Sequence, residues 1–175
     1  MESLTYDQAR LIIEDGDVVF FQGSFSIKHP IDALIMLVTG SPFVHANIAF
    51  WDEIAGQHRL MAIEAQGGTK RRILNESFYS DKKVSVIKGI KKWDDMAPDA
   101  LSRVAEQKYS YITALYSGLR DFFVRVFGIR LPKMNHPGEI CSEFVARLEG
   151  LSETDLSPGD LYIALLQVST EKSAV

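Results

Sequence analysis

The only cysteine of the sequence, Cys141, is the side chain best suited to nucleophilic chemistry. From Glu139 onward apolar residues recur at helical spacing, and Gly150 is a typical helix stop. Cys141 is therefore predicted in the first turn of a helix, where unpaired N–H groups and the helix dipole favour a thiolate. The same N–H groups could stabilise an oxyanion on a substrate carbonyl. The alternative is that a lone cysteine is a small buried hydrophobic residue.

A cysteine nucleophile needs a base, and the base needs an orienting partner. The segment Phe43–Trp51 alternates like a strand and places His45 and Asn47 on one face with Phe43, Ala49 and Trp51. A loop over Asp52–His58 and a strand over Arg59–Ala65 complete an antiparallel hairpin.

The register of this hairpin decides which residue faces His45. If Trp51 lies opposite His58, His45 lies opposite Glu64, and a slip of one residue puts it opposite Ala65. Cross-strand neighbours have Cβ atoms about 4.5–5.5 Å apart, so a carboxylate there could orient an imidazole. The three residues then form a Cys-His-Glu triad, which is recognised by roles and not by chain order. Asn47 is either structural or substrate-binding.

The remaining elements must position these residues. Helices are expected over Thr5–Glu14, from Lys28-His29-Pro30 through Val38, over Asp99–Lys108 and over Tyr109–Phe127. Strands are expected over Val18–Gln22 and Val84–Ile90, with a last strand or short helix over Leu161–Val168. Turns and loops are expected over Gln66–Thr69, Trp93–Pro98, Gly128–Pro137 and Ser157–Asp160.

Composition limits the protein class. A chain of 175 residues, 46% hydrophobic and 24% charged, is expected to form one globular domain over residues 1–175. Its net charge of −4 argues against general nucleic-acid binding. One cysteine excludes an internal disulfide and Cys-rich zinc sites, and the four histidines are scattered, so no metal or cofactor is expected.

The N-terminal and apolar segments bear on location. The acidic N-terminus lacks the pattern of a signal peptide, and the apolar run Ile31–Val38 is too short to span a bilayer and contains Asp32. A cytoplasmic protein is expected, and delivery elsewhere would need a route other than a cleavable signal.

Basic residues concentrate between positions 70 and 92, which hold eight of the 19 in the chain. A solvated face of a sheet explains such a cluster, and a surface for an anionic substrate or a membrane is the alternative. The eight residues are Lys70, Arg71, Arg72, Lys82, Lys83, Lys88, Lys91 and Lys92.

Five motifs, taken in order, resemble the circularly permuted NlpC/P60 proteins, and most closely their YiiX/YebB-like branch, with a distant relation to lecithin:retinol acyltransferase. The resemblance spans about residues 16–161, and in that family the histidine strand precedes the cysteine helix. The motifs are Gly16-Asp17-Val18-Val19-Phe20-Phe21, Ser41-Pro42-Phe43-Val44-His45-Ala46-Asn47-Ile48, Ile63-Glu64-Ala65, Ile140-Cys141-Ser142-Glu143-Phe144-Val145 and Ser157-Pro158-Gly159-Asp160-Leu161.

The resemblance implies an α+β, papain-like fold with a central antiparallel sheet packed against helices. It implies Cys141 as nucleophile, His45 as general base and Glu64 as the residue that orients His45. The Cys141 backbone N–H is the first candidate for the oxyanion donor and Gln22 the second. Tyr109, with Tyr111, is a candidate for the substrate pocket.

The function implied is that of a cysteine peptidase or amidase acting through an acyl-enzyme on amide bonds of cell-wall peptides. Two alternatives stay open: a lipid-directed thioesterase, amidase or acyltransferase, and a non-catalytic binding module that keeps the fold. The expected partners are a small peptide or a lipid-like substrate, with peripheral contact to a membrane or cell wall and without nucleic acid. The oligomeric state stays open.

Overall fold

The protein is an α+β molecule built on an open five-stranded antiparallel sheet in the order β4-β3-β2-β1-β5. The computed structural model describes residues 3–26, 30–65, 68–75, 82–104, 120, 123–124, 126–129, 132, 140–152 and 156–173. The strands are β1 (Val18–Gln22), β2 (Phe43–Ile54), β3 (Gln57–Ala65), β4 (Thr69–Ile73) and β5 (Val84–Ile87). The helices are α1 (Tyr6–Ala9), α2 (Pro30–Thr39), α3 (Trp93–Ser102), α4 (Cys141–Glu149) and α5 (Pro158–Ser173).

Both faces of the sheet are buried, each against a different set of elements. The alternating residues Phe20, Ile48 and Ile63 point to one face, where they form a core with residues of α3, α4 and α5. Val19 and Ala62 point to the other face and pack with residues of the N-terminal segment that contains α1. The sheet is therefore a middle layer, and α4 is held on it by its buried apolar residues Phe144, Val145 and Leu148.

The hairpin of β2 and β3 is confirmed, but its register differs by two residues from the expected one. Trp51 pairs with Leu60, because both strands continue to a two-residue turn at Ala55 and Gly56, and the expected loop over Asp52–His58 is wrong. Ala55 has φ 53° and Gly56 has φ 73°, the left-handed conformations that two-residue hairpin turns need.

An irregularity in β2 corrects the expected face of Phe43. Phe21 pairs with His45, but Gln22 pairs with Phe43, so one extra residue is accommodated around Val44. Such a bulge interrupts strict alternation. Phe43 consequently joins the core on the α4 side instead of sharing the face of Ala49.

Several other boundaries differ from expectation. The strand β4 was not predicted, because the expected turn covered Thr69 and the following Lys-Arg-Arg run lacks apolar alternation. The expected loop over Trp93–Pro98 is helical, and the Trp93 ring stacks on Phe50 with centroids 4.2 Å apart. Tertiary packing here outweighs the local preference of Pro98.

The two ends of the chain also depart from expectation. The first helix ends at Ala9 instead of Glu14, and Leu11 and Ile12 beyond it are exposed, so packing does not extend it. The expected turn over Ser157–Asp160 begins α5, since the Ser157 hydroxyl accepts the Asp160 N–H in the manner of an N-cap. The predicted Tyr109–Phe127 helix and Gly128–Pro137 linker lie mostly outside the described residues, which include only 120, 123–124, 126–129 and 132 of these segments. No described helix has the length and apolar character needed to cross a membrane.

The C-terminal end of α4 is fixed by a buried carboxylate. Glu149 is 2% exposed, and its Oε2 accepts the backbone N–H groups of Ile90 at 2.6 Å and Lys91 at 3.1 Å. Gly150 then ends the helix with φ 77°, as the sequence predicts. This contact ties the helix that carries Cys141 to the segment after β5.

We expect Glu149→Ala to lower the free energy of unfolding by about 2–3 kcal/mol, because two backbone donors lose their acceptor. Glu149→Gln keeps one oxygen at the same position and should lose clearly less. Urea denaturation measures both. An Ala variant as stable as the wild type would show that these hydrogen bonds do not hold α4.

Candidate active site

The candidate nucleophile lies where the sequence predicts it, at the first residue of α4. The Phe144 N–H donates to the Ile140 carbonyl at 3.0 Å and opens the helix, so the N–H groups of Cys141 and Ser142 have no acceptor within it. Cys141 is a free cysteine with 6% of its surface exposed. The backbone N–H groups of Ser142 and of Ala46 in β2 donate hydrogen bonds to its sulfur.

His45 connects the cysteine to a carboxylate. Its Nε2 lies 2.8 Å from Oε2 of Glu64, and its ring hydrogen-bonds to the Cys141 sulfur, which leaves Nδ1 for that contact. The ring is held from one side by Phe21, whose centroid is 5.8 Å away. His45 retains 14% exposure, so the site meets solvent at the imidazole.

The register explains how Glu64 reaches His45 without lying opposite to it. The pairing of Ile48 with Ile63, continued by one residue, places Glu64 opposite Asn47. Glu64 and His45 are therefore diagonal neighbours on one sheet face. A side chain as long as glutamate spans the 7–8 Å typical of such pairs.

The electrostatics favour a charged sulfur–imidazole pair. Burial by itself would lower the pKa of His45, but the charge of the Cys141 thiolate, its hydrogen bond and the Glu64 carboxylate outweigh burial and raise the pKa to about 10. Burial would likewise raise the pKa of Cys141. The charge and hydrogen bond of His45, with the N–H groups of Ala46 and Ser142, lower it instead. Both shifts favour the thiolate–imidazolium form of the pair.

The carboxylate of Glu64 is completely buried and has a second cationic neighbour. Its Oε1 lies 3.0 Å from Nε of Arg72 on β4. Buried carboxylates are stable in the charged form only when they are paired and hydrogen-bonded. Cys141, His45, Glu64 and Arg72 therefore form a continuous row of ionisable side chains.

The other predicted site residues are less directly connected. Gln22 donates from Nε2 to the Ser85 hydroxyl and accepts from the Ser3 hydroxyl, both at 3.4 Å, and its role at an oxyanion stays a prediction. Asn47 is fully buried, and neither polar atom of its amide has a hydrogen-bond partner within the described part of the chain. Tyr109 lies outside the described residues.

Two features of the site were not predicted from the sequence. The Ala46 N–H donor depends on how α4 meets β2, and no side-chain pattern reports that. In the sequence, Arg72 is part of the basic cluster. Its contact with Glu64 could have been predicted only by recognising β4, because the β3–β4 register pairs Arg72 with Ala62, two residues before Glu64.

Half of the basic cluster forms ion pairs with acidic residues. Four of its eight residues form ion pairs: Arg71 with Asp52, Arg72 with Glu64, Lys82 with Asp32, and Lys88 with Glu14 and Asp17. These pairs reduce its capacity to attract an anionic substrate. In the described residues no cluster of three or more His, Cys, Asp or Glu side chains is arranged to hold a metal ion.

This geometry provides a nucleophile, a proton carrier and a group that orients the carrier. Comparison with known proteins adds nothing to it, because the chain matches neither a protein-family model nor a curated protein at a significant level.

Proposed function

We propose that the protein is a cysteine hydrolase of the permuted NlpC/P60, papain-like type, and that it cleaves amide bonds of cell-wall peptides through an acyl-enzyme. The observation that carries the proposal is the contact of His45 with the Cys141 sulfur on one ring nitrogen and with Glu64 at 2.8 Å on the other. The motif order around these residues supports the peptide substrate.

In the first half of the reaction the Cys141 thiolate attacks the carbonyl carbon of the substrate. The C=O π electrons move to oxygen, and the backbone N–H of Cys141, which has no acceptor within α4, is the expected donor to that oxyanion. The imidazolium of His45 then gives its proton to the leaving nitrogen as the C–N bond breaks. The products are a free amine and a thioester on Cys141.

In the second half the neutral His45 takes a proton from water, and the hydroxide oxygen attacks the thioester carbonyl. The C–S bond breaks, the carboxylic acid leaves, and the thiolate–imidazolium pair is restored. Glu64 keeps its hydrogen bond to Nε2 throughout, which holds the other ring nitrogen toward the sulfur.

Incubation with a pool of muropeptides, followed by mass analysis of the products, tests the substrate class. We expect masses lowered by cleavage of a peptide amide with uptake of one water, and no such products from Cys141→Ala. If the wild-type protein leaves the muropeptides unchanged while its thiol alkylates readily, the cell-wall substrate is rejected and the reactive site still stands.

A lipid-directed acyl reaction is the second candidate, and helix α2 favours it. This helix turns Asp32 and Thr39 inward and exposes its apolar residues Ile31, Leu34 and Leu37 by 67%, 46% and 67%. The helix lies beside the site, because Gly23 is close to both. A Cβ added at Gly23 would lie 2.5 Å from Val44, the neighbour of His45, and 2.8 Å from the sulfur of Met36 in α2.

Incubation with phospholipid vesicles discriminates the two candidates. A long-chain acyl mass retained on Cys141 of the intact protein would support lipid chemistry, and its absence beside muropeptide cleavage would exclude it.

A further inference from the structure

Arg72 is a cation placed directly behind the residue that orients His45. It lies on the edge strand β4, is 30% exposed, and its Nε approaches Oε1 of the fully buried Glu64 at 3.0 Å. The other oxygen of the same carboxylate binds His45 at 2.8 Å. A basic side chain therefore lies close to each oxygen of the Glu64 carboxylate.

The ion pair between Arg72 and Glu64 has a physical reason. A buried carboxylate loses its hydration, which favours the protonated form, whereas a cation within about 4–6 Å lowers a carboxyl pKa by about 1–3 units. A protonated Glu64 could not stabilise the imidazolium. A carboxylate free to rotate would also hold the ring less firmly.

We propose that Arg72 is a positioning residue of the Cys141–His45–Glu64 site: it keeps Glu64 ionised and aimed at His45, and so maintains the thiolate–imidazolium pair under mildly acidic conditions. This inference rests on the proposed function. It adds a fourth member, contributed by the edge strand β4, to the three-residue site.

The charged groups around Glu64 define the comparison. On its sheet face they are His45 on one side and Arg72 and Lys70 of β4 on the other, with Lys70 opposite Glu64 in the register; Cys141 of α4 contacts His45. Arg71 is the natural control, because it is the neighbouring arginine of the same strand and pairs with the half-exposed Asp52 instead.

The test measures the alkylation rate of Cys141 by iodoacetamide against pH in Arg72→Gln, Arg72→Lys, Lys70→Gln and Arg71→Gln. The rate falls on the acid side of its pH profile as the thiolate is protonated, and we call this part of the profile the acid limb. Removing a nearby cation raises every neighbouring pKa, so we expect the acid limb of Arg72→Gln to lie about one pH unit higher than that of the wild type. Arg72→Lys should restore most of the limb because it keeps the charge. Arg71→Gln should follow the wild type, and kcat of Arg72→Gln should fall with little change in KM.

Each outcome decides the proposal. An acid limb in Arg72→Gln that stays at the wild-type pH, or moves no further than in Lys70→Gln, overturns the role of Arg72 and leaves the proposed function intact. If the acid limb of the wild-type protein lies in the pH range of an ordinary thiol, the thiolate–imidazolium pair itself is rejected. If Arg72→Gln does not fold, Arg72→Met retains the alkyl stem without the charge and the same limb is measured.

Discussion

We expect the replacement of Cys141 by alanine to abolish the proposed hydrolysis, with kcat falling by about 10⁴-fold or more. The thiolate is the strongest nucleophile in the row of Cys141, His45 and Glu64. Without it the imidazole could at most activate water, which is a much poorer nucleophile. Steady-state kinetics on the amide substrate identified from the product masses measure the loss.

Cys141→Ser is the matched control for this prediction. It preserves volume and a polar atom next to His45, but its hydroxyl has a far higher pKa than a thiol, so we expect activity close to that of the alanine variant. Urea denaturation should show that both variants fold. An alanine variant that retains more than about a tenth of the wild-type kcat would remove Cys141 from the mechanism.

Replacing His45 by glutamine should lower kcat by about 10³-fold or more, since the proton carrier is lost. Without the imidazolium, burial dominates at Cys141, and its pKa should rise to the ordinary thiol range or above. Glutamine is close in size and retains a hydrogen-bonding side chain, so the fold should survive. Kinetics and alkylation rates, measured on the same preparation, report both effects.

His58→Gln provides the comparison. His58 is an exposed histidine of β3 that stacks on Trp51 with centroids 4.8 Å apart, and it has no contact with the candidate site in the described residues. Its variant should match the wild type in kcat. Equal losses in both histidine variants would mean that the effect of His45→Gln is a general loss of structure.

The raised pKa of His45 sets the upper end of the active pH range. The imidazolium is present below its pKa of about 10 and is lost above it, so kcat should decline as the pH passes that value. The lower end is set by Cys141, whose pKa lies below its usual range. A decline centred near the ordinary histidine pKa would contradict the charge arrangement.

The helix of Cys141 and the hairpin of His45 and Glu64 could be predicted from the sequence, because each has a clear apolar periodicity. The register of the hairpin could not be predicted in this way. The polar residues Asp52, Glu53 and His58 resemble a loop, yet they belong to strands that continue to the turn at Gly56. The contact of His45 with Glu64 survives that shift only because the glutamate side chain is long enough to act diagonally.

The strand β4 and its contribution could not be predicted from local pattern. The segment has no apolar alternation at Lys70, Arg71 and Arg72. It forms a strand because its backbone pairs with β3 and because two of its arginines form ion pairs with carboxylates. Ion pairs of this kind depend on which residues the sheet brings together. The position of a charge in the sequence does not reveal them.

The pH dependence of Cys141 alkylation, in wild-type protein and in His45→Gln, tests the thiolate–imidazolium pair most directly, since the chain contains a single cysteine. We expect the wild-type rate to level off below the pH range in which an ordinary thiol ionises, while the rate of the variant still rises about tenfold per pH unit there, as for an ordinary thiol. Two curves that superimpose, both rising through the normal thiol range, would contradict the account.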